Sequence, residues 1–256
     1  MRAFFLAATL AAFVLPISQA VADVTVVSPG VIGNSGLPEI AAAFTKATGI
    51  KVIRVGRGMA QMLPGIKTDS PPADVFMLPM ELAGQLALEG GVKGSLIPLA
   101  RVEIGLFKKP TAPYADISTV EKLATVLRGA SVVFYEDPKS GSTEATMIGA
   151  MLARPEFAGV KGIPGGGNAE ARLKNGEGDE NAMGLGLLHG VHNPENKPTD
   201  NSALIGQLPA ELRMHIDMVT GVSARSTNDR EALAFIEFIM KPEQRALWQS
   251  KGAYRY

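Results

Sequence analysis

The sequence predicts an α/β protein of two units, each a mostly parallel sheet flanked by helices, with a cleft between the units. Two observations carry this prediction. Short β-branched runs alternate with stretches whose apolar residues recur at helical spacing, and the alternation begins again after the first third of the 256-residue chain. Such alternation is typical of parallel strands joined by helices that cover the faces of a sheet.

The first unit begins with the β-branched run 24–27, which a Ser-Pro-Gly sequence ends. After a loop over 30–36, apolar residues from Leu37 to Phe44 recur at the spacing of one helix face. Further strands are predicted at 51–55 and 73–77, with a helix at 59–66 between them.

The second unit repeats this arrangement. Its predicted strands are 102–107, 131–135 and 183–188, and its predicted helices are 117–127 and one that follows residue 142. No repeat in the sequence is strong enough to indicate a duplication.

The C-terminal part of the chain returns to the first unit. The run 214–222 predicts a strand, and Asn228 with Glu231 three residues later predicts a capping box at the start of a helix. A last helix is predicted at 243–250. The predicted lobes are therefore 23–104 plus 220–256 for the first, and 105–219 for the second.

The first 22 residues predict a cleaved signal peptide. Arg2 supplies a positive charge before an apolar run from Phe4 to Leu15, and residues 20–22 (Ala-Val-Ala) have the small-x-small pattern of a cleavage site. The apolar run is shorter than the roughly 20 residues that span a bilayer. We therefore expect export to the periplasm and a soluble mature chain that begins at Asp23.

The composition excludes several kinds of site. With 0 cysteines, the chain has no disulfide, no thiolate zinc site, no cysteine nucleophile and no cysteine-linked lipid anchor. The 25 basic and 25 acidic residues balance, which gives no indication of nucleic-acid binding. The sequence also lacks the G-x-S-x-G, Walker and H-E-x-x-H motifs, so we expect neither catalysis nor a cofactor.

The loops that lead from a strand into a helix are the candidate binding site. In open parallel sheets these loops meet at the carboxyl edge, where helix N-termini attract anions. Four of them are rich in small polar residues: 33–35, 56–58, 139–143 and 165–168. The candidate ligand-binding residues are Asn34, Ser35, Arg57, Gly58, Met59, Ser140, Ser142, Thr143 and Asn168.

Arg57 is the candidate charge partner of a ligand. It stands between two glycines, which let the backbone approach a ligand closely, and a guanidinium binds carboxylates and oxyanions in a bidentate manner. A solvated surface arginine is the alternative. His189 and His192 are three residues apart, but no nearby carboxylate completes a set of metal ligands. No metal site is therefore predicted, and the roles of both histidines stay open.

Several segments resemble the type II periplasmic solute-binding proteins, in particular the molybdate-binding family of ABC transporters. They are 37–52 (LPEIAAAFTKATGIKV), 71–76 (PPADVF), 135–138 (YEDP), 235–244 (FIEFIMKPEQ) and Lys251-Gly252. Together they cover nearly the whole mature chain in the order of the family, and they are specific in combination. The resemblance implies two lobes on a hinge that close on a small anion without chemistry, and that dock onto a membrane permease.

The resemblance implies a molybdate or tungstate site, from which this chain departs. Family members use two serines and a tyrosine, and the corresponding positions lie near Val31, Ala60 and Leu187. Arg57 is an addition that suits a carboxylate. Two ligand classes therefore stay open: an oxyanion of the molybdate type, and a small organic carboxylate bound through Arg57. An exported enzyme or a sensor module using the same cleft is an alternative of another class. The carrier is expected to be a monomer.

Overall fold

The computed structural model describes residues 22–33, 35–165, 168–188 and 203–254. Its strands are β1 (Val24–Ser28), β2 (Val52–Gly56), β3 (Val75–Pro79), β4 (Val92–Lys108), β5 (Val133–Tyr135), β6 (Gly162–Pro164), β7 (Met183–Leu187), β8 (Ala203–Gln207) and β9 (His215–Ser223). Its helices are α1 (Gly30–Gly33), α2 (Leu37–Thr48), α3 (Met59–Thr68), α4 (Met80–Leu88), α5 (Val120–Gly129), α6 (Thr143–Leu152), α7 (Ala169–Lys174), α8 (Asp229–Ile239) and α9 (Pro242–Ser250).

Three parallel strands form the centre of each lobe. In the first lobe β1 lies between β2 and β3, and in the second lobe β5 lies between β6 and β7. Antiparallel strands continue both sets, so that the strand order is β2-β1-β3-β9-β4-β7-β5-β6, with β8 also paired to β4. The predicted two-lobed α/β architecture is confirmed.

The long strand β4 connects the two lobes. It pairs with β9 as far as Glu103, opposite His215, and from Ile104 onward it pairs with β7. All of β9 pairs within the first lobe, with β3 on one side and β4 on the other. This pairing favours a second crossing that precedes His215, earlier in the chain than the predicted boundary at 219/220. The lobe boundaries stay a prediction.

Four elements, α1, α4, β6 and β8, were not predicted from the sequence, for reasons visible in their residues. Strand β6 is 3 residues long and contains a glycine and a proline. Helix α4 begins directly after Pro79 and has no side-chain cap, so it has no sequence signal for a helix start. Strand β8 is a short run that contains Gly206. Helix α1 forms a single turn inside the stretch 30–36, which the sequence predicted as a loop.

The predicted capping box at Asn228 is wrong. The side chain of Asn228 makes no cap hydrogen bond to α8, and its Nδ2 instead donates to the carbonyl oxygen of Asp23 at 3.3 Å. Glu231 pairs with Arg230, whose Nη2 lies 2.7 Å from Oε1. The helix does begin where the sequence predicted, because Asn228 has the non-helical backbone of an N-cap and its carbonyl accepts from Ala232 N at 2.9 Å.

The buried stripe of α2 packs against the C-terminal helices. Leu37, Ile40 and Phe44 are at most 1% exposed, as their helical spacing predicts. The ring of Phe44 meets Phe235 and Phe238 of α8 edge-on, with centroid distances of 5.1 and 5.4 Å. The C-terminal segment therefore completes the core of the first lobe.

Asp74 joins β1, β3 and the turn before α8. It is 2% exposed, and its carboxylate accepts from Thr25 N and from Ser226 Oγ, both at 2.9 Å. Asn228 Nδ2 lies 3.4 Å from both of its oxygens. The Pro-Ala-Asp-Val-Phe segment therefore contains its aspartate for a structural reason: it satisfies buried donors from three parts of the first lobe.

Replacing Asp74 should destabilise the first lobe. Asp74→Ala leaves the Thr25 amide and the Ser226 hydroxyl buried without an acceptor, and each such donor costs about 1–3 kcal/mol. We expect the free energy of unfolding, measured by urea denaturation, to fall by about 2–4 kcal/mol. Asp116→Ala on the exposed surface is the control and should change it much less. An equal change in both variants would contradict this role of Asp74.

Candidate ligand-binding site

The loops at the carboxyl ends of the parallel strands converge on a cleft between the lobes. The cleft has a volume of about 310 Å³. It lies where open α/β sheets bind ligands, beyond the carboxyl ends of the parallel strands. The cavity is of a size that takes a small organic molecule.

The first lobe lines the cleft with mostly apolar and backbone surface. Its lining residues follow β1, β2 and β3 or belong to β9: Pro29, Gly30, Val31, Arg57, Gly58, Met59, Pro79, Ile216 and Met218. The second lobe contributes most of the polar side chains. Its lining residues are Glu136, Ser142, Thr143, Glu144, Asn168 and Leu187.

The structure brings six of the nine predicted residues together at the cleft: Arg57, Gly58, Met59, Ser142, Thr143 and Asn168. Ser35 does not line it, because its side chain is fully buried and its hydroxyl donates to the carbonyl oxygen of Val31. Ser140 does not line it either, and its Oγ accepts from Ser142 N at 3.2 Å. Asn34, His189 and His192 lie outside the described residues. The ligand-binding roles stay predictions.

The charge of Arg57 is matched by a carboxylate of its own lobe. Its Nη2 donates to Asp69 Oδ2 at the end of α3. Its Nε is buried without a partner in the described part of the chain and lies against Gly65, where an added Cβ would stand 2.7 Å from it. The guanidinium therefore lies back along α3, and an anion would have to compete with Asp69 for it.

Two of the predicted polar side chains are helix caps. Ser142 Oγ accepts from Ala145 N at 3.0 Å, and Asn168 Oδ1 accepts from Ala171 N at 2.7 Å. The hydroxyl group of Ser142 donates a hydrogen bond to Glu136 Oε2 at 3.0 Å. These side chains therefore satisfy α6, α7 and Glu136 before they can serve a ligand.

The loop that carries Asn168 is anchored by Arg172. Its Nη1 donates to the carbonyl oxygens of Ile163 and Gly165, at 3.2 and 2.8 Å. Its guanidinium carbon lies 3.9 Å from the ring centroid of Phe134, and its Nε donates to Glu177. This buried arginine fixes the approach of the β6–α7 loop to the cleft.

The sequence analysis missed two carboxyl groups of the cleft, Glu136 and Glu144. Glu136 directly follows β5, and Glu144 stands in the first turn of α6 with 5% of its surface exposed. Glu144 Oε1 accepts from Leu187 N at 3.1 Å. Glutamates are common in first helical turns because they complement the helix dipole. The sequence therefore carries no signal that Glu144 lies at the cleft.

The sequence pattern of one protein family matches almost all of the described chain. The pattern described as "Bacterial extracellular solute-binding protein" spans residues 24–253. The chain belongs to this family. The resemblance seen in the sequence is thereby confirmed at family level. No curated protein sequence matches the chain significantly.

Solved structures share the fold of this solute-binding protein at low sequence identity. The periplasmic molybdate-binding protein of Azotobacter vinelandii has a TM-score of 0.69 at 18% identity, covering 91% of this chain and 100% of that chain. The tungstate-binding protein TupA of Desulfovibrio alaskensis has a TM-score of 0.68 at 12% identity, covering 93% of this chain and 99% of that chain. Iron-bound HitA of Pseudomonas aeruginosa has a TM-score of 0.63 at 20% identity, covering 91% of this chain and 86% of that chain. These likenesses show a shared fold.

The described residues contain no group of three or more His, Cys, Asp or Glu side chains placed to hold a metal ion. In the same part of the chain, no helix combines the length and the hydropathy needed to cross a membrane.

Two contacts between described residues of the two lobes lie beside the cleft. Thr143 Oγ1 of the second lobe donates to Glu81 Oε1 of the first lobe at 2.6 Å. Gly141, whose φ is +74°, comes close to α3: a Cβ at this position would lie 3.6 Å from the Cβ of Ala60. The structure therefore has the cleft closed at this edge.

Burial of Glu144 makes it an unusually weak acid for a carboxyl group. Its burial, together with the negative charge of Glu136, raises the pKa of Glu144 from 4.5 to about 8. The folded protein therefore holds one more proton than the unfolded chain between these two pH values. The free energy of unfolding falls as the pH rises through this window, because the unfolded carboxyl ionises freely.

Glu144→Gln should remove this pH dependence. A glutamine mimics the neutral carboxyl, so the stability of the variant relative to wild type should improve by about 2–3 kcal/mol between pH 5.5 and pH 7.5. Urea denaturation of the variant and the wild type at the two pH values measures this difference in the free energy of unfolding. Glu121→Gln is the control: its pKa is lowered by backbone and Thr119 hydrogen bonds, so its contribution changes only at lower pH. The same stability difference at both pH values would show that Glu144 is ionised in the fold.

Proposed function

We propose that this chain is the periplasmic solute-binding component of an ABC importer, which captures a small solute by closing its two lobes. The cleft is the observation that carries the proposal. It is lined by strand-end loops of both lobes, and the chain belongs to a family of solute-binding proteins. The solute is held and released without chemistry. The loaded protein docks as a monomer on a membrane permease, after export through cleavage of the first 22 residues.

The course of β4 between the lobes supports closure by hinge motion. β4 ends its pairing with β9 at Glu103 and begins its pairing with β7 at the adjacent Ile104. Just beyond this crossing, the pairing of β4 with β8 has a register shift between Leu106 and Phe107, and irregularities of this kind let a strand bend without losing the rest of its hydrogen bonds. Bending at this crossing moves the loops of one lobe towards those of the other.

The predicted anion has one structural feature in its favour. Helix α3 begins at the cleft, and its N-cap, Gly58, supplies no side chain to satisfy the first amides. An oxyanion would bind there, since free amides and the helix dipole favour negative charge. A carboxylate bound through Arg57 would displace Asp69. The carboxyl groups of the second lobe instead favour a positively charged solute. A binding screen should therefore include oxyanions, carboxylates and cations.

A thermal-shift screen of residues 23–256 tests the binding function. At one hundred times its dissociation constant, a bound solute adds about 2.7 kcal/mol of stability. For a domain of this size, that raises the melting temperature by roughly 5–10 °C. The screen contains molybdate, tungstate, sulfate, carboxylates, sugars, amino acids and organic amines. A shift with one chemical class supports solute capture, and a melting temperature that no compound changes would contradict it.

Thr143→Val tests the contact that holds the lobes together. The variant loses the donor to Glu81 and keeps the shape of the side chain, so the closed form should be less populated in the absence of solute. The chain has 0 cysteines, so spin labels can be placed at Ala42→Cys in α2 and Ala150→Cys in α6, both exposed. Pulsed dipolar distances should broaden and shift in the variant.

The matched control for this contact is Thr125→Val. Thr125 Oγ1 donates only within its own helix, to the carbonyl oxygen of Glu121 at 2.8 Å. The distance distribution between the two spin labels in Thr125→Val should equal that of the doubly labelled parent. Identical distributions for Thr143→Val and the parent would show that the Thr143–Glu81 hydrogen bond does not control closure.

A further inference from the structure

We infer that the solute carries a positively charged nitrogen group, which binds between the carboxyl groups of Glu136 and Glu144. The inference rests on the proposed function, because it names the class of solute for the same cleft. Both carboxyl groups line that cleft from the second lobe, one at the end of β5 and the other in the first turn of α6.

The charge balance of the cleft supports a cation. Arg57 is the one basic side chain among the described lining residues, and Asp69 neutralises it. The two glutamates have no basic partner among the described residues. An anion would meet the carboxylate of Glu136 without a cation to offset it, whereas a cation gains from Glu136 and also from Glu144 once that group gives up its proton.

Each carboxyl group is held by one oxygen and has the other available. Glu136 Oε2 accepts from the Ser142 hydroxyl, and Glu144 Oε1 accepts from the Leu187 amide. The remaining oxygen of each has no hydrogen-bond partner in the described part of the chain. One bond fixes the orientation of the group, and the other oxygen can accept from a solute when the carboxyl group is ionised.

The rest of the lining favours an organic cation over a metal ion. Val31, Met59, Leu187, Ile216 and Met218 give the cleft apolar walls. Its volume of about 310 Å³ exceeds the space of a bare ion. The described residues also lack a third His, Cys, Asp or Glu that would complete a metal site. An ammonium group on an apolar body matches both the carboxyl pair and the walls.

Binding of such a cation should release a proton. Glu144 is protonated at neutral pH in the empty cleft, and a neighbouring positive charge favours its ionised form. The groups around it are Glu136, the Leu187 amide, Arg57 across the cleft and Glu81 beside Thr143. Without the solute, the acidic groups among these oppose a negative charge on Glu144. The affinity for a cation should therefore rise with pH up to about 8, as Glu144 loses its proton more readily.

The test compares charged and uncharged probes on the full mature chain. The cationic probes are choline, putrescine and thiamin, and 3,3-dimethylbutanol is the uncharged isostere of choline. Acetate, succinate and molybdate are the anionic probes. At least one cation should raise the melting temperature, while its uncharged isostere and the anions do not. Calorimetric affinity for that cation should rise between pH 6 and pH 8, by up to about tenfold per unit.

Substitutions then assign the effect to the carboxyl pair. Glu136→Gln and Glu144→Gln should each weaken binding of that cation at least tenfold, and Glu144→Gln should abolish the pH dependence. Glu156→Gln, on the exposed surface away from the cleft, should bind as wild type does. Melting of each variant without a probe confirms that it is folded.

The outcomes separate this inference from the proposed function. Stabilisation by molybdate, a carboxylate or a neutral compound alone would overturn the cationic solute and leave solute capture standing. Cation binding that survives both glutamine variants would also overturn the inference. Failure of every compound, charged or neutral, would count against both.

Discussion

The antiparallel pairing of β4 with β9 is the constraint on which the rest of the structure depends. β4 is 17 residues long, and it leaves β9 at Glu103 to pair with β7 from Ile104. One continuous strand therefore belongs to both sheets and joins the two lobes. The same connection turns the carboxyl ends of the two sets of parallel strands towards each other, and the cleft follows from that orientation.

The polar groups of the cleft are mostly committed to the protein. Ser142 and Asn168 cap their own helices, and Arg57 pairs with Asp69. A residue type that can bind a ligand is not free to do so until its local partners are satisfied. The capacity that remains lies in the second oxygens of Glu136 and Glu144, and in the uncapped start of α3. In the proposed function, the charge of the cleft therefore matters more for the choice of solute than the number of its small polar residues does.

The sequence predicted the elements with strong periodicity or clear caps, and missed those without them. The stripe from Leu37 to Phe44 identified α2, because 3.6-residue spacing has no other ready explanation. Helix α4, which starts at a proline without a cap, gave no such signal. For the cleft, the rule that ligands bind beyond strand ends located loops that line it. It could not show that Arg57 folds back onto Asp69, or that the first-turn Glu144 faces the cleft, because both depend on tertiary contacts.

The identity of the retained solute tests this mechanism most directly. The protein can be isolated from the periplasm of its own host without denaturation, and the intact complex weighed by native mass spectrometry before the solute is extracted and identified. One non-covalent adduct is expected, with the mass of a small organic cation, and it should be absent when both Glu136 and Glu144 are replaced by glutamine. An adduct with the mass of an oxyanion or a carboxylate, or an adduct unchanged in the double variant, would contradict it.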